Sequence, residues 1–213
     1  MKIKKFEFNP LGVNTYVLSD ENTNQCVIID PSCFFPDEKQ ELLKYILDND
    51  LVVKHLLNTH CHFDHIFGNP LIASTFNVAP EAHKEDEDLI HNFESQLKMF
   101  GMPALSEKQP EIGNYLSEND VITFGEQKLV VLHVPGHSPG SVVFYHEPSE
   151  SVFVGDVLFH GGIGRTDLQG GNFETLINGI KTKLLTMHNE TVVYSGHGPS
   201  TTIGLEKKSN PYL

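Results

Sequence analysis

The chain has 213 residues, 39% of them hydrophobic, and its 15 basic and 28 acidic side chains give a formal net charge of −13. This length fits one large or two small domains of about 100–200 residues each, and the acidity disfavours nucleic acids and anionic membranes as partners, because both attract clustered Lys and Arg. No apolar run approaches the roughly 20 residues of a membrane span, and Glu7 precedes any signal-peptide core, so we expect a cytoplasmic protein.

Short apolar runs rich in β-branched residues recur along the chain between turn residues, and these runs predict β-strands. Several are apolar throughout instead of alternating with polar residues, which is typical of sheets covered by helices. The predicted strands lie at 4–8, 15–18, 26–29, 51–57, 121–124, 128–134, 142–145, 152–154 and 192–194.

Segments between these runs predict three helices. Residues 37–49 and 173–187 each place apolar side chains on one helical face, whereas residues 84–100 are more polar and lead into a stretch punctuated by Gly and Pro. There is no internal repeat and no flexible linker. Residues 1–213 are therefore expected to form a single domain of mixed strands and helices, with a helical insert at about 84–117.

Four candidate metal ligands lie within six positions, directly after the predicted strand 51–57: His60, His62, Asp64 and His65. In an extended chain, residues two apart point the same way, so His60 and His62 can reach one metal while Cys61 points away from it. After a turn, Asp64 and His65 can serve a neighbouring metal. Imidazole and carboxylate ligands suit zinc, and iron is compatible with them.

Three more candidate ligands also follow predicted strands and stand beside glycines. His137 lies in Pro-Gly-His-Ser-Pro-Gly, Asp156 in Val-Gly-Asp and His197 in Ser-Gly-His-Gly-Pro. Glycine allows the backbone to turn sharply and approach a metal without a clashing Cβ atom. Taken singly, each of these segments is more typical of an ordinary turn than of a metal ligand. With the first four residues they predict a metal centre in loops at strand ends.

In order and spacing, these seven residues resemble the metal-binding motifs of the metallo-β-lactamase-fold hydrolases, and the resemblance spans nearly the whole chain. It implies an α/β fold with four layers, an αβ/βα sandwich of two mixed β-sheets with helices outside and the metals at one edge. It further implies two metal ions: the first bound by His60, His62 and His137, the second by Asp64, His65 and His197, with Asp156 bridging both.

The Gly-Arg-Thr-Asp segment at 164–167 resembles the glyoxalase II-like branch and the related persulfide dioxygenases. The first resemblance implies two Zn²⁺ per chain and a hydroxide between them that attacks a small thioester or related acyl substrate. The second implies an oxidoreductase with one iron bound by His62, His137 and Asp156. Only residues 198–213 follow the last ligand, so the C-terminal helical domain of a full glyoxalase II is expected to be absent.

Several roles stay open at this level. Asp64 is a candidate for orienting the nucleophile as well as a metal ligand. Arg165 either holds an anionic group of the substrate or pairs with Asp167, and Asp30 either orients a metal ligand or forms a turn before proline. The 84–117 insert is a lid, a packing element or an oligomer contact. A metal-stabilised binding module without turnover is the non-enzymatic alternative. The sequence does not indicate the oligomeric state.

Overall fold

The computed structural model describes residues 1–213 and contains two six-stranded sheets that pack face to face. The first sheet takes its strands in chain order. Its first three strands are antiparallel, and the pairs from the third strand onward are parallel. These strands are β1 (Lys2–Phe8), β2 (Val13–Ser19), β3 (Gln25–Ile29), β4 (Val52–Leu57), β5 (Pro80–His83) and β6 (Asn114–Leu116).

The second sheet has the order β14-β13-β10-β9-β8-β7 and is also mixed, because β10 and β13 run parallel while the other neighbours are antiparallel. A small separate hairpin, β11 with β12, follows β10. The strands are β7 (Val121–Phe124), β8 (Gln127–His133), β9 (Val142–His146), β10 (Ser151–Gly155), β11 (Leu158–Phe159), β12 (Gly162–Ile163), β13 (Val192–Ser195) and β14 (Thr201–Thr202).

Helices cover the outer faces of both sheets. On the first sheet these are α1 (Pro36–Asp48) and α2 (Asn69–Phe76), and on the second they are α5 (Phe173–Gly179) and α6 (Ile203–Ser209). Between β5 and β6 lie α3 (Glu87–His91) and α4 (Phe93–Met99). No helix has the length and apolar character needed to span a bilayer.

The alternation of side chains along β2 and β3 explains why these strands are apolar throughout. Leu18 and Val27 point into the core between the two sheets, whereas Val17 and Ile28 point outward and pack beneath α1 and α2. All four side chains are buried, because each face of the strand has its own apolar layer to contact. The predicted αβ/βα sandwich with helices outside is confirmed.

The connection between β5 and β6 differs in detail from the predicted helix 84–100. It begins with a 3₁₀ turn at Lys84–Asp86 and then divides into α3 and α4 at Asn92, whose side-chain amide donates to the Asp88 carbonyl. The segment predicted as a helix at 173–187 begins as α5, which is followed by a π-helical turn, Ile180–Leu184. Strands β5, β6, β11, β12 and β14 and helices α2 and α6 were not predicted.

Candidate metal centre

The candidate ligands lie where strands of both sheets end. Asp30 follows β3 and His60 follows β4 in the first sheet, while His137, Asp156 and His197 follow β8, β10 and β13 in the second. Because the two sheets face each other, these loops meet at one edge of the sandwich. The structure therefore brings together all seven residues that the sequence singled out.

His60, His62 and His137 form one group of converging ring nitrogens. The Nε2 atom of His137 lies 3.2 Å from His60 Nε2 and 2.9 Å from His62 Nδ1. Nitrogen atoms placed 2.0–2.1 Å from one tetrahedral zinc ion are separated by about 3.3 Å. These three histidines are buried, and their spacing fits ligands of a single ion.

Asp64, His65 and His197 form a second group, and Asp156 lies between the two groups. His197 Nε2 is 3.5 Å from Asp64 Oδ2 and 3.5 Å from Asp156 Oδ2. Asp156 also reaches His65 Nε2 at 3.4 Å and His137 Nε2 at 3.7 Å. The buried atoms His65 Nε2 and Asp156 Oδ1 face each other at 3.4 Å, but neither makes a hydrogen bond. Such orphaned polar atoms are costly unless a cation satisfies them, so the donor set fits two metal ions.

Four of the five histidines are held by hydrogen bonds at Nδ1, which leaves Nε2 facing the centre. This arrangement fixes the tautomer and the orientation of a metal-binding imidazole. The Nδ1 partners are Thr59 Oγ1 for His60 at 3.1 Å, Asp30 Oδ2 for His65 at 3.0 Å, the Arg165 carbonyl for His137 at 2.8 Å, and the Leu11 carbonyl for His197 at 3.1 Å.

Asp30 is buried and orients one of the candidate ligands, His65, and it also holds the segment before His60. Its carboxylate accepts hydrogen bonds from the Thr59 amide at 2.7 Å and the Thr59 hydroxyl at 2.6 Å. Thr59 directly precedes the predicted ligands and had no predicted role. Its hydroxyl links Asp30 to His60, and its position directly before His60 was the only signal for this function.

Burial sets the protonation of the first group. It lowers the pKa of His62 to about 3 and, together with the nearby His65 and His137, holds the pKa of His60 well below its ordinary value. Both rings are therefore neutral near pH 7 and have lone pairs available for a cation.

Opposite charges dominate the second group. Burial alone would raise the pKa of Asp156, but His65 and His197 hold it well below its ordinary value. Burial would likewise lower the pKa of His197, yet the carboxylates of Asp156 and Asp64, each 3.5 Å from its Nε2 atom, raise it to about 9. The ionised carboxylates thus need nearby positive charge, which metal cations can supply in exchange for the histidine protons.

Gly196 allows the loops of the second group to approach each other closely. A Cβ atom at this position would overlap Asp156 Oδ1 and lie 2.8 Å from His65 Cε1. Carbon atoms in favourable contact are about 3.5–4.0 Å apart, so no other residue fits here without moving a ligand. The glycine before His197 is thus required by the space around the centre.

A cleft of about 260 Å³ opens directly onto both groups. Its polar lining consists of candidate ligands together with Arg165, whose guanidinium donates to both carboxylate oxygens of Asp167 at 2.7 Å. Its apolar lining consists of Leu11, Phe63, Phe100 and Leu168. Phe100, which follows α4, is the part of the predicted insert that reaches the cleft.

His83, Glu85 and His133 form a further group of potential ligands away from the cleft. The two imidazole rings are stacked, with centroids 3.9 Å apart and planes 13° apart. Imidazole lone pairs lie in the plane of the ring, so two stacked and nearly parallel rings do not direct them at one ion. This group lacks the convergence seen in the cleft.

Comparison with known proteins agrees with this geometry. The sequence profile of the metallo-beta-lactamase superfamily matches residues 8–197. Two curated relatives are 37% identical over 214 residues, an alignment that covers 100% of this chain and 98% of each relative. They are a probable metallo-hydrolase, YqgX, from Bacillus subtilis and the hydroxyacylglutathione hydrolase GloC from Haemophilus influenzae.

Two solved structures share the fold over essentially the full length of both chains. The BLEG-1 B3 metallo-beta-lactamase superimposes with a TM-score of 0.90 at 34% identity, covering 100% of this chain and 99% of that one. TTHA1623, in a di-iron-bound form, gives a TM-score of 0.87 at 35% identity, covering 99% of this chain and 100% of that one. The chain therefore belongs to the metallo-β-lactamase superfamily, as a metal-dependent hydrolase.

Proposed function

We propose that the protein hydrolyses a small thioester or related acyl compound with two zinc ions bound in the cleft. His60, His62 and His137 would hold one ion, Asp64, His65 and His197 the other, and Asp156 would contact both. The observation that carries the proposal is the pair of adjacent ligand groups that share Asp156, with buried His65 Nε2 and Asp156 Oδ1 otherwise unsatisfied. When bound, such ions lower the pKa of water and polarise an acyl carbonyl.

The proton requirements of the reaction support a thioester. In its hydrolysis the oxygen of water bonds to the acyl carbon and the carbon–sulfur bond breaks. Of the two protons of water, one ends on the sulfur and the other is released, so the products are a carboxylate, a thiol and a proton. Thiols have a pKa near 8.5, so sulfur can leave as a thiolate without a proton donor, unlike an amide nitrogen. The titratable residues lining the cleft are candidate ligands and Arg165, which pairs with Asp167. An adjoining cavity that shares Asp156, Arg165 and His197 with the cleft adds one further titratable residue, His160.

Asp64 would position the attacking water. It lines the cleft, and although burial opposes its ionisation, the charges of His65 and His197 lower its pKa. An ionised carboxylate accepts a hydrogen bond from water but is a poor proton donor at neutral pH. Asp64 therefore fits an orienting role and does not fit that of a general acid.

The relative named hydroxyacylglutathione hydrolase supports a thioester substrate, and the di-iron form of TTHA1623 makes iron the main alternative to zinc. The decisive experiment assays zinc-loaded and iron-loaded protein against thioesters, esters, a β-lactam and a persulfide, with His62→Ala as the blank. We expect about two zinc ions per chain and cleavage of a thioester without oxygen uptake. One iron per chain, together with oxygen uptake when the persulfide is added, would contradict the proposal and favour the dioxygenase alternative.

Arg165 is expected to act mainly as a brace for its loop, because its guanidinium is already paired with Asp167 and its carbonyl holds His137. Arg165→Gln should lower the free energy of unfolding by less than about 1 kcal/mol, as for other exposed ion pairs. It should change KM equally for thioesters with and without a carboxylate group. A rise in KM confined to the anionic thioester would instead assign Arg165 to substrate binding.

A further inference from the structure

One buried acid lies outside both ligand groups and yet contacts the loops that form the first of them. Asp86 belongs to the 3₁₀ turn that opens the connection between β5 and β6, and its side chain is fully buried. We propose that Asp86 is a positioning residue for the metal ion held by His60, His62 and His137. This inference rests on the metal centre proposed above and extends it to the helical connection, residues 84–113.

The three hydrogen bonds of Asp86 join the two ligand loops. Its Oδ2 atom accepts from the Cys61 amide at 2.9 Å, and Cys61 lies between His60 and His62 in the chain. The same oxygen accepts from the Ser138 hydroxyl at 2.8 Å, and Oδ1 accepts from the Gly140 amide at 2.6 Å. Ser138 follows His137 directly, so one carboxylate fixes the backbone beside all three histidines of the group.

The fit around this carboxylate is close. A Cβ atom at Gly140 would lie 2.7 Å from the Asp86 carboxylate carbon and 2.8 Å from its backbone nitrogen. The loops also meet through the Val142 amide, which donates to the Thr59 carbonyl at 2.8 Å. The Val142–Thr59 bond lies outside the segments 60–62 and 137–140, whereas Asp86 makes hydrogen bonds within both segments.

Two glutamines of the same connection fasten the rest of the 60–66 loop. Gln96 accepts from the Phe63 amide at 3.1 Å and donates to the Cys61 carbonyl at 3.2 Å, and Gln109 donates to the Ile66 carbonyl at 3.0 Å. Buried loop backbone must find such partners, since no strand supplies them here. The connection thus acts as a scaffold for the metal-binding loop, and only its Phe100 lines the cleft.

Asp30 serves the other group in a comparable way. It bonds directly to His65, which belongs with Asp64 and His197, whereas it reaches His60 indirectly, through the amide and hydroxyl of Thr59. Asp86 contacts no residue of the second group. Asp86 therefore braces the first group only, whereas Asp30 bonds directly to the second, and this difference makes the proposal testable by metal occupancy.

The test compares metal binding by wild-type protein, Asp86→Asn and a matched control by competition with a chromophoric chelator. Asn has nearly the volume of Asp, but its NH2 group donates hydrogen bonds. In this place it would face the donors of Cys61, Ser138 or Gly140. We expect zinc affinity at one of the two sites to fall about 10–100-fold, as for other residues that orient ligands. After dialysis, bound zinc should fall from about two ions per chain towards about one.

Asp20→Asn is the control, because Asp20 is also buried and accepts three hydrogen bonds, from Thr23, Glu126 and Gln127, away from the candidate ligands. It should keep about two ions. His62→Ala identifies the affected site, since adding Asp86→Asn to it should weaken the remaining ion little further. If Asp86→Asn does not fold by circular dichroism, Ser138→Ala, which removes one of the three bonds, should weaken the same site several-fold.

Wild-type affinity at both sites in Asp86→Asn would overturn the positioning role and leave the proposed hydrolase intact. Parallel loss of both ions by folded Asp86→Asn would also overturn the positioning role. If Asp86→Asn does not fold, wild-type zinc binding by Ser138→Ala would overturn it instead. Failure of the wild-type protein to bind two ions would overturn the proposed centre and the role of Asp86 together.

Discussion

Replacing Asp156 with alanine is expected to lower the metal content at both sites and to reduce thioester hydrolysis by more than about 100-fold. Asp156 reaches His137 of the first group and both His65 and His197 of the second, so no other single side chain touches both groups to the same extent. Loss of residues that merely orient ligands costs about 10–100-fold, and loss of a shared ligand should cost more.

Metal analysis of the dialysed protein and thioester turnover measure this effect. Asp48→Ala removes an exposed acid at the end of α1 and serves as the control, with wild-type metal content expected. Circular dichroism verifies that the Asp156→Ala protein is folded. An Asp156→Ala protein that still holds two ions and turns over at the wild-type rate would refute the bridging role.

Gly196→Ala is expected to damage the second metal site although it changes no ligand. The added methyl group would overlap Asp156 Oδ1 and crowd His65, so one of these ligands must move. Overpacking of a close-packed site costs about 1–3 kcal/mol, and displaced ligands should lower metal affinity about 10–100-fold. Chelator competition and unfolding in denaturant measure the two effects separately.

Gly162→Ala provides the matched comparison, because the nearest atom to a Cβ there is Phe159 Cβ at 3.8 Å, an ordinary contact. This variant should bind metal and unfold like the wild-type protein. Equal behaviour of the two variants would mean that the loop before His197 can relax, and the spatial argument for Gly196 would fail.

The parts of the fold that were predicted are those with a long local pattern. The apolar runs of β2, β3 and β9 are longer than those found in turns, and α1 has apolar side chains along one face. In contrast, β5 has four residues and β6 three, too few for a pattern to emerge. Helix α2 begins with Asn69 and Pro70, which resemble turn residues in the sequence but start a helix here, where proline is well accommodated.

The candidate site likewise contains residues that could be predicted from the sequence and residues that could not. The candidate metal ligands could be singled out because only a few side-chain types bind metals and four of them lie within six positions. The backbone carbonyls that orient His137 and His197 could not be predicted, because every residue has a carbonyl. Only the tertiary structure determines that those of Arg165 and Leu11 accept these hydrogen bonds. Asp86 was missed because its bonds to Ser138 and Gly140 span 52 and 54 residues.

The candidate ligands are divided between the two sheets, which links metal binding to the docking of the two halves of the chain. All strands of the first sheet precede residue 117, and all strands of the second follow it. The first sheet supplies His60 and its three neighbouring ligands, and the second supplies His137, Asp156 and His197. Neither half alone holds a full candidate set for either ion, so complete coordination of an ion requires the two halves to be docked. Metal loading then favours the docked state over its separated halves.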